Sequence, residues 1–197
     1  MNAATLGRCL VLWSVIVVPI ACAPRLHWVH DSPAAPSCEP DRLLTWKDFK
    51  ERSGHGRRGA ETAVRFHLDG IEPGRIRARL DHGLSWVKPE VVHAADHKRA
   101  LRLLRHEQVH FAISCLLTRE ANAALATGGD PQAMLLLLNA VATRLNVQYD
   151  VESNHGLNEK GQARWEEAVQ RRLSAGPLTQ GGRQVPLQTE VSVPGSP

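Results

Sequence analysis

Two short stretches in the first half of the chain alternate apolar and polar residues with a period of two. They are residues 64–68 (VRFHL) and 76–80 (IRARL), and the turn-forming segment GIEPG separates them at 70–74. Such alternation, interrupted by Gly and Pro, is typical of a β-hairpin that buries one face. A third short strand is expected in residues 84–87 (LSWV).

The second half of the chain follows the helical period instead. The pattern predicts helices over 97–127, 132–150 and 158–175. Asp96 and Asp130 stand where N-caps are expected, and Pro131 suits the first position of the second helix. Strands followed by helices indicate the α+β class.

The ends of the chain differ in character from this middle part. One positive charge precedes an uncharged apolar run at 9–21, which is too short to span a membrane, so we expect a signal peptide over residues 1–22. Cys22 lies where a lipoprotein would be acylated, which leaves lipid-anchored and soluble export both open. Residues 23–40 are expected to form a proline-rich linker, and residues 176–197 a disordered tail. The folded domain is therefore expected at 41–175.

Composition adds little beyond this organisation. The formal net charge is +4, and the basic residues are dispersed rather than clustered. No aromatic-and-basic recognition motif accompanies them, so we expect no nucleic-acid partner. Of the four cysteines, Cys38 and Cys115 would remain available in an exported domain and could form a disulfide there.

The segment RHEQVHF at 105–111 carries the candidate chemistry. His106 and His110 lie one turn apart on the predicted helix, so both imidazoles can reach one metal ion, and Glu107 can hold a water beside it. Neutral imidazoles suit Zn²⁺, which lowers the pKa of its water to roughly 7. Chance predicts roughly 0.03 such patterns in a chain of this composition, and the motif therefore predicts a zinc site.

A catalytic zinc needs a third protein ligand, and several residues could supply it. Glu120 lies ten residues after His110 and is too far along the helix. The segment just past the second helix offers Asp150, Glu152 and His155. Gly156 follows His155 and would let the backbone come close to the ion, so His155 is favoured over Asp150 or Glu152.

Several motifs together resemble a bacterial domain-of-unknown-function family described as secreted zinc-dependent proteases. The family pattern is HEQ-x-HF, then YD-x-x-T-x-HG and Q-x-x-W, and this chain has HEQVHF, YDVESNHG at 149–156 and QARW at 162–165, with LTWKDF at 44–49 and SWVKPE at 85–90. The resemblance covers about residues 43–170. It implies a zincin-like fold with His106, His110 and His155 as zinc ligands and Glu107 as the catalytic base. Ser153 replaces the family's Thr and retains the hydroxyl.

These observations lead to one expected function and two alternatives. We expect an exported zinc metallopeptidase, periplasmic or secreted, that acts on a peptide or protein substrate and touches the membrane only through a lipid anchor at Cys22. Tyr149 is a candidate donor to the oxyanion, or a packing residue that closes the helix. The alternatives are a cell-wall peptide amidase with the same site and a non-catalytic envelope protein stabilised by zinc.

Overall fold

The fold was obtained as a computed structural model that describes residue 38 and residues 42–54, 58–175, 179–180 and 183–184. The signal peptide and most of the linker expected from the sequence lie outside the described residues. Within the described part, strands come first and helices follow, which confirms the α+β class.

The predicted β-hairpin is present in the expected register. Strands β3 (Val64–Leu68) and β4 (Ile76–Leu80) pair antiparallel, with Val64 opposite Leu80. The apolar residues of β4 are buried and its arginines are not. Asn122 of the longest helix forms two hydrogen bonds with the backbone of Ile76 in β4. Its Oδ1 accepts from Ile76 N and its Nδ2 donates to Ile76 O, both at 2.8 Å. The hairpin therefore lies flat against that helix.

A second, smaller sheet contains the predicted third strand. Strand β5 (Trp86–Val87) lies between β1 (Lys50–Glu51) and β2 (Ala60–Glu61), parallel to the first and antiparallel to the second. The third strand thus pairs with two strands that alternation did not predict, because two-residue strands have no measurable period. A 3-10 turn at Trp46–Asp48 precedes this sheet.

In the part of the chain that the structure describes, four helices follow these two sheets. The three long ones are α2 (His97–Leu125), α3 (Pro131–Ser153) and α4 (Glu159–Ser174), all within a few residues of the expected bounds, and a short α1 (Pro89–Val92) precedes them. Both predicted aspartate N-caps are present, with Asp96 accepting from Arg99 N and Asp130 from Gln132 N. Gly128 has a φ of 110°, which explains the end of α2 because left-handed backbone favours Gly.

Helix α2 occupies the centre of the domain. It packs against α3, α4 and the hairpin, and buried side chains occur around most of its circumference. One apolar cluster fills the space among the three long helices and β4, with Trp165, Tyr149 and Ile113 at its centre. A second cluster lies between α2 and the small sheet, with Phe111 and Val87 at its centre. A central helix enclosed in this way holds its side chains in fixed positions.

The N-terminal part of the domain is tied to α2 by a disulfide between Cys38 and Cys115. Leu44 N also donates to Gln108 Oε1 at 2.6 Å, and Gln108 lies between Glu107 and His110 in the HExxH segment. The segment that leads into the domain is therefore fixed close to the HExxH turn.

The C-terminal tail contains four described residues. Residues 179–180 and 183–184 pair as β6 and β7 in a two-stranded antiparallel ladder, a pairing that the sequence did not predict, and the expected disorder over 176–197 stays a prediction. Two residues per strand are too few to produce a hydrophobic period, so composition dominated the sequence prediction. The remainder of the tail lies outside the described residues. None of the helices described is long and apolar enough to span a membrane.

Candidate metal centre

The HExxH segment lies in the middle of α2, where the helix is uninterrupted. His106 and Glu107 are buried, and the side chain of His110 is 13% exposed. The Nε2 atoms of the two histidines lie 3.2 Å apart. The i, i+4 spacing thus brings the two imidazoles to a common point, as the sequence predicted.

Helix α3 presents a polar face to these histidines. Asn146, Tyr149, Asp150 and Ser153 follow the i, i+3, i+4, i+7 spacing, which aligns their side chains along one side of the helix. Each of the four lies within 3.5 Å of an atom of His106 or His110. The sequence offers Asp150 as a ligand but does not single out Asn146. The signal that could have found Asn146 is the helical spacing of these four residues, here called the polar stripe of α3.

A left-handed turn after α3 brings His155 back towards Asp150. Asn154, His155 and Gly156 have φ values of 48°, 52° and 78°, and His155 N donates to Asp150 O at 2.9 Å. Positive φ is uncommon for residues other than Gly, and it clusters where surrounding structure enforces it, often at functional sites. The turn reverses the chain within three residues and places the His155 imidazole over the end of α3.

Gly156 has a second role in this turn. A Cβ at this position would lie 3.1 Å from His106 Cβ and 3.0 Å from Gln162 Oε1, closer than side chains normally approach. Gly156 N also donates to Ser153 Oγ at 3.3 Å. The sequence had attributed this glycine to close approach towards a metal ion, and the structure shows the backbone against the His106 side chain itself.

Three imidazoles, those of His106, His110 and His155, converge on one carboxylate oxygen of Asp150. Asp150 Oδ1 lies 3.1 Å from His106 Nε2, 3.1 Å from His110 Nε2 and 3.2 Å from His155 Nδ1. The ligand atoms of His106, Asp150 and His155 all lie within 4.8 Å of one another. Both His155 and Asp150, which the sequence treated as alternatives, therefore belong to the same cluster.

The other ring nitrogens of the two helical histidines face oxygen atoms. His110 Nδ1 lies 2.7 Å from Asn146 Oδ1, which can only accept, so the proton of a neutral His110 is on Nδ1. His106 Nδ1 lies 3.5 Å from Ser153 Oγ. Partners of this kind orient metal-ligating imidazoles and leave the opposite nitrogen free for the ion.

The charges of the cluster favour a cation. Burial of the Asp150 carboxyl opposes its ionisation, but hydrogen bonds with His106 and His110 outweigh burial and hold the pKa of Asp150 well below its usual range. Burial likewise opposes protonation of His110, yet Asp150 and the nearby negative charge of Glu107 raise the pKa of its imidazole. The same negative surroundings attract a divalent metal ion.

The donor set fits a zinc ion. Ligand atoms bound to tetrahedral zinc at about 2.0–2.1 Å lie roughly 3.3 Å from one another, close to the 3.1–3.2 Å separations found here. With the Nδ1 proton on His110, its Nε2 lone pair would face the lone pairs of Asp150 Oδ1, an unfavourable contact that a cation between them removes. Imidazole and carboxylate donors are those that zinc accepts in catalytic sites.

Glu107 lies beside this cluster with unused hydrogen-bonding capacity. Its side chain is buried, and Oε2 has no hydrogen-bond partner in the part of the chain that the structure describes. A buried carboxylate oxygen without a partner is costly and calls for an explanation, such as a catalytic role or contact with a water or an ion. Thr62 Oγ1 donates to Glu107 O at 3.3 Å, which places β2 and its following residue against this turn of α2.

A cleft of about 1000 Å³ gives access to the centre. One wall consists of β2 and α1, the floor is α2, and the opposite wall is α3 with its terminal turn. Residues of the centre that line the cleft are His106, Glu107, His110, Asp150 and His155. The cleft therefore opens onto the histidine and aspartate cluster and onto Glu107 together.

Tyr149 lies beneath the histidines. The sequence leaves open whether it donates to an oxyanion or packs at the helix end, and the geometry favours packing, because its side chain is fully buried and is not among the residues that line the cleft. The ring stacks on His106 with centroids 4.7 Å apart, and the hydroxyl donates to His106 O at 3.4 Å. Burial raises the pKa of Tyr149 far above its usual value, so the phenol stays neutral. Its role is the packing one, beneath the histidines.

Two other acidic residues that the sequence offers as metal ligands, Glu152 and Glu120, have their partners outside the cluster. Glu152 accepts from Gln148 Nε2 and from Trp165 Nε1, both at 2.8 Å, on the side of α3 that faces away from the cluster. Glu120 forms a buried ion pair with Arg172 of α4. Both are structural contacts between helices.

Comparisons with known proteins found no matching family model, no matching curated protein and no matching solved structure.

Proposed function

We propose that the protein is a zinc-dependent hydrolase with a zincin-like site, and that it cleaves peptide bonds. The observation that carries the proposal is Glu107 Oε2, which has no hydrogen-bond partner among the described residues. It is buried beside the convergent cluster of His106, His110, Asp150 and His155, and Glu107 lines the same cleft. A site that served stability alone would have no use for this glutamate.

His106 and His110 would hold the metal from α2. Either Asp150, near the end of α3, or His155, in the turn after it, would supply the third protein ligand, so that one position stays open for water. A zinc ion bound there would lower the pKa of a bound water to about 7 and polarise a carbonyl oxygen. Asn146 fixes the ring of His110 and Ser153 that of His106, so the donor atoms are held in place before an ion binds.

Glu107 is the proposed general base. Its Oε2 would accept a proton from water and then deliver it to the leaving amine. Because the Glu107 carboxylate is buried, it is already desolvated and needs no rearrangement to act. The cleft would exclude bulk water from the reacting atoms once a substrate occupies it.

Export is part of the proposal. The apolar N-terminal segment and the Cys38–Cys115 disulfide are both typical of proteins that fold in an oxidising compartment. We therefore propose a periplasmic or secreted protein, either soluble or anchored through Cys22.

One observation favours a second function, a metal site that only stabilises the fold. Asp150 Oδ1 is almost equidistant from three histidine nitrogens, and four protein ligands would complete a tetrahedral site and leave no position for water. This alternative gives Glu107 no role.

The variant Glu107→Gln separates the two functions. The matched control is Glu90→Gln, because Glu90 lines the same cleft with an exposed side chain. We expect wild type and the Glu90 variant to hydrolyse unfolded casein or peptidoglycan peptides, whereas the Glu107 variant retains metal but loses at least about 100-fold in rate. Equal turnover by the Glu107 variant, or no hydrolysis by any form with bound metal, would refute the proposed hydrolase.

A further inference from the structure

Two large apolar side chains are exposed on the α3 wall of the cleft. The side chains belong to Val147, in the last third of α3, and Leu157, in the turn after it; the two residues are 57% and 67% exposed. Exposed apolar residues are ordinary when scattered singly, but two in one concave site with convergent polar groups are typical of a ligand-binding surface.

Both residues are next to the metal cluster. Val147 directly follows Asn146 and precedes Asp150 by three positions, so its side chain neighbours Asp150 on the helix surface. Leu157 is two residues after His155, and Leu157 N donates to Asn154 O at 3.0 Å within the left-handed turn. The turn that places His155 in the cluster therefore also places Leu157 in the cleft.

The opposite wall has a different chemistry. Arg58, Glu61, Lys88 and Glu90 of this wall carry charges of both signs and form ion pairs with one another. This wall also contains the smaller apolar residues Ala60 and Val91, but the exposed large apolar side chains of the cleft are Val147 and Leu157 on the α3 side.

We propose that Val147 and Leu157 determine substrate specificity by accepting a bulky apolar side chain adjacent to the scissile peptide bond. This inference rests on the proposed peptidase function. It identifies the substrate class as peptides with a residue such as Leu beside the cleaved bond. Removing the two apolar contacts would remove the preference without removing the metal or the base.

The chain supplies a matched control. Val151 lies one helical turn beyond Val147 and is exposed, and Leu84 is exposed in a turn as Leu157 is, but neither lines the cleft. The double variant Val147→Ser, Leu157→Ser can therefore be compared with Val151→Ser, Leu84→Ser, which makes the same two chemical changes in similar backbone settings.

Binding is measured in the metal-loaded Glu107→Gln background with two peptides that differ only in a central Leu or Gly. We expect the Leu peptide to bind about tenfold more tightly, the cleft double variant to lose that difference, and the control double variant to keep it. No preference for Leu, or equal loss in both double variants, would overturn the inference.

Cleavage of the same peptides by the Glu107-containing protein is measured separately. Selective binding without any cleavage would refute the peptidase and leave apolar recognition standing.

Discussion

Asn146 Oδ1 lies 2.7 Å from His110 Nδ1 and so fixes which nitrogen of that imidazole is free for a metal ion. The two residues are 36 positions apart in the chain and meet because α3 packs along α2. The contact joins the polar stripe of α3 to the HExxH turn, and it gives a direct test of the centre.

Replacing Asn146 by Ala should weaken zinc binding by roughly 10–100-fold, because the ring of His110 loses the acceptor that orients it. Affinity is measured by competition with a chelator of known zinc affinity. Asn139→Ala is the control, since Asn139 is on the same helix but donates only to Leu135 O. Unchanged affinity in the Asn146 variant would contradict the role assigned to this contact.

The composition of the ligand set is tested by Asp150→Asn and His155→Ala. Because only one of the two can be the third ligand of a site that keeps a position for water, one variant should lose more than about 100-fold in zinc affinity. The other should lose about 10–100-fold, the range expected for a residue that supports a ligand. Glu152→Gln should bind zinc normally, since Glu152 contacts Gln148 and Trp165 instead. Full zinc content in either cluster variant at limiting zinc would remove that residue from the set.

Gly156→Ala should lower both stability and zinc affinity. The positive φ penalises any side chain by about 1 kcal/mol, and the added Cβ would also displace His106, which lies 3.1 Å away. Gly128→Ala provides the comparison, because Gly128 has a φ of 110° but nothing within 4 Å of an added Cβ. We expect thermal melting to shift in both variants and zinc affinity to fall only in the Gly156 variant.

Tyr149→Phe should leave catalysis nearly intact. The hydroxyl donates to a backbone carbonyl beneath His106, and its loss should cost about 1 kcal/mol of unfolding free energy with less than a tenfold change in kcat. Urea denaturation and steady-state kinetics measure the two quantities. A fall of 100-fold or more in kcat, with the metal still bound, would restore the oxyanion role that its burial argues against.

The disulfide should be a main source of stability. Cys38 and Cys115 are 77 residues apart. A cross-link over that distance lowers the conformational entropy of the unfolded chain, which is expected to stabilise the folded state by roughly 4 kcal/mol. The double variant Cys38→Ser, Cys115→Ser should therefore unfold at lower urea concentration and be insensitive to reductant, whereas wild type should lose stability on reduction. Identical urea midpoints for oxidised and reduced wild type would show that the bond contributes little.

The elements with strong periodicity were predictable. The hairpin β3–β4, the three long helices and both aspartate caps follow from residue patterns within each segment, because these depend on local alternation, helical spacing and capping groups. The two-residue strands of the small sheet were not predictable, since their pairing depends on residues distant in sequence. The four paired tail residues were missed for the same reason.

The sequence by itself determined that His106, Glu107 and His110 share one helical face, since this requires only the 3.6-residue period of α2. Only the tertiary structure decided that Asp150 and His155 join them together, that Asn146 and Ser153 support the rings, and that Tyr149 is buried beneath them. Those positions depend on how α3 packs along α2 and on three consecutive left-handed residues at its end. A helix period fixes neighbours within one element, whereas contacts between elements arise from the packing of the whole core.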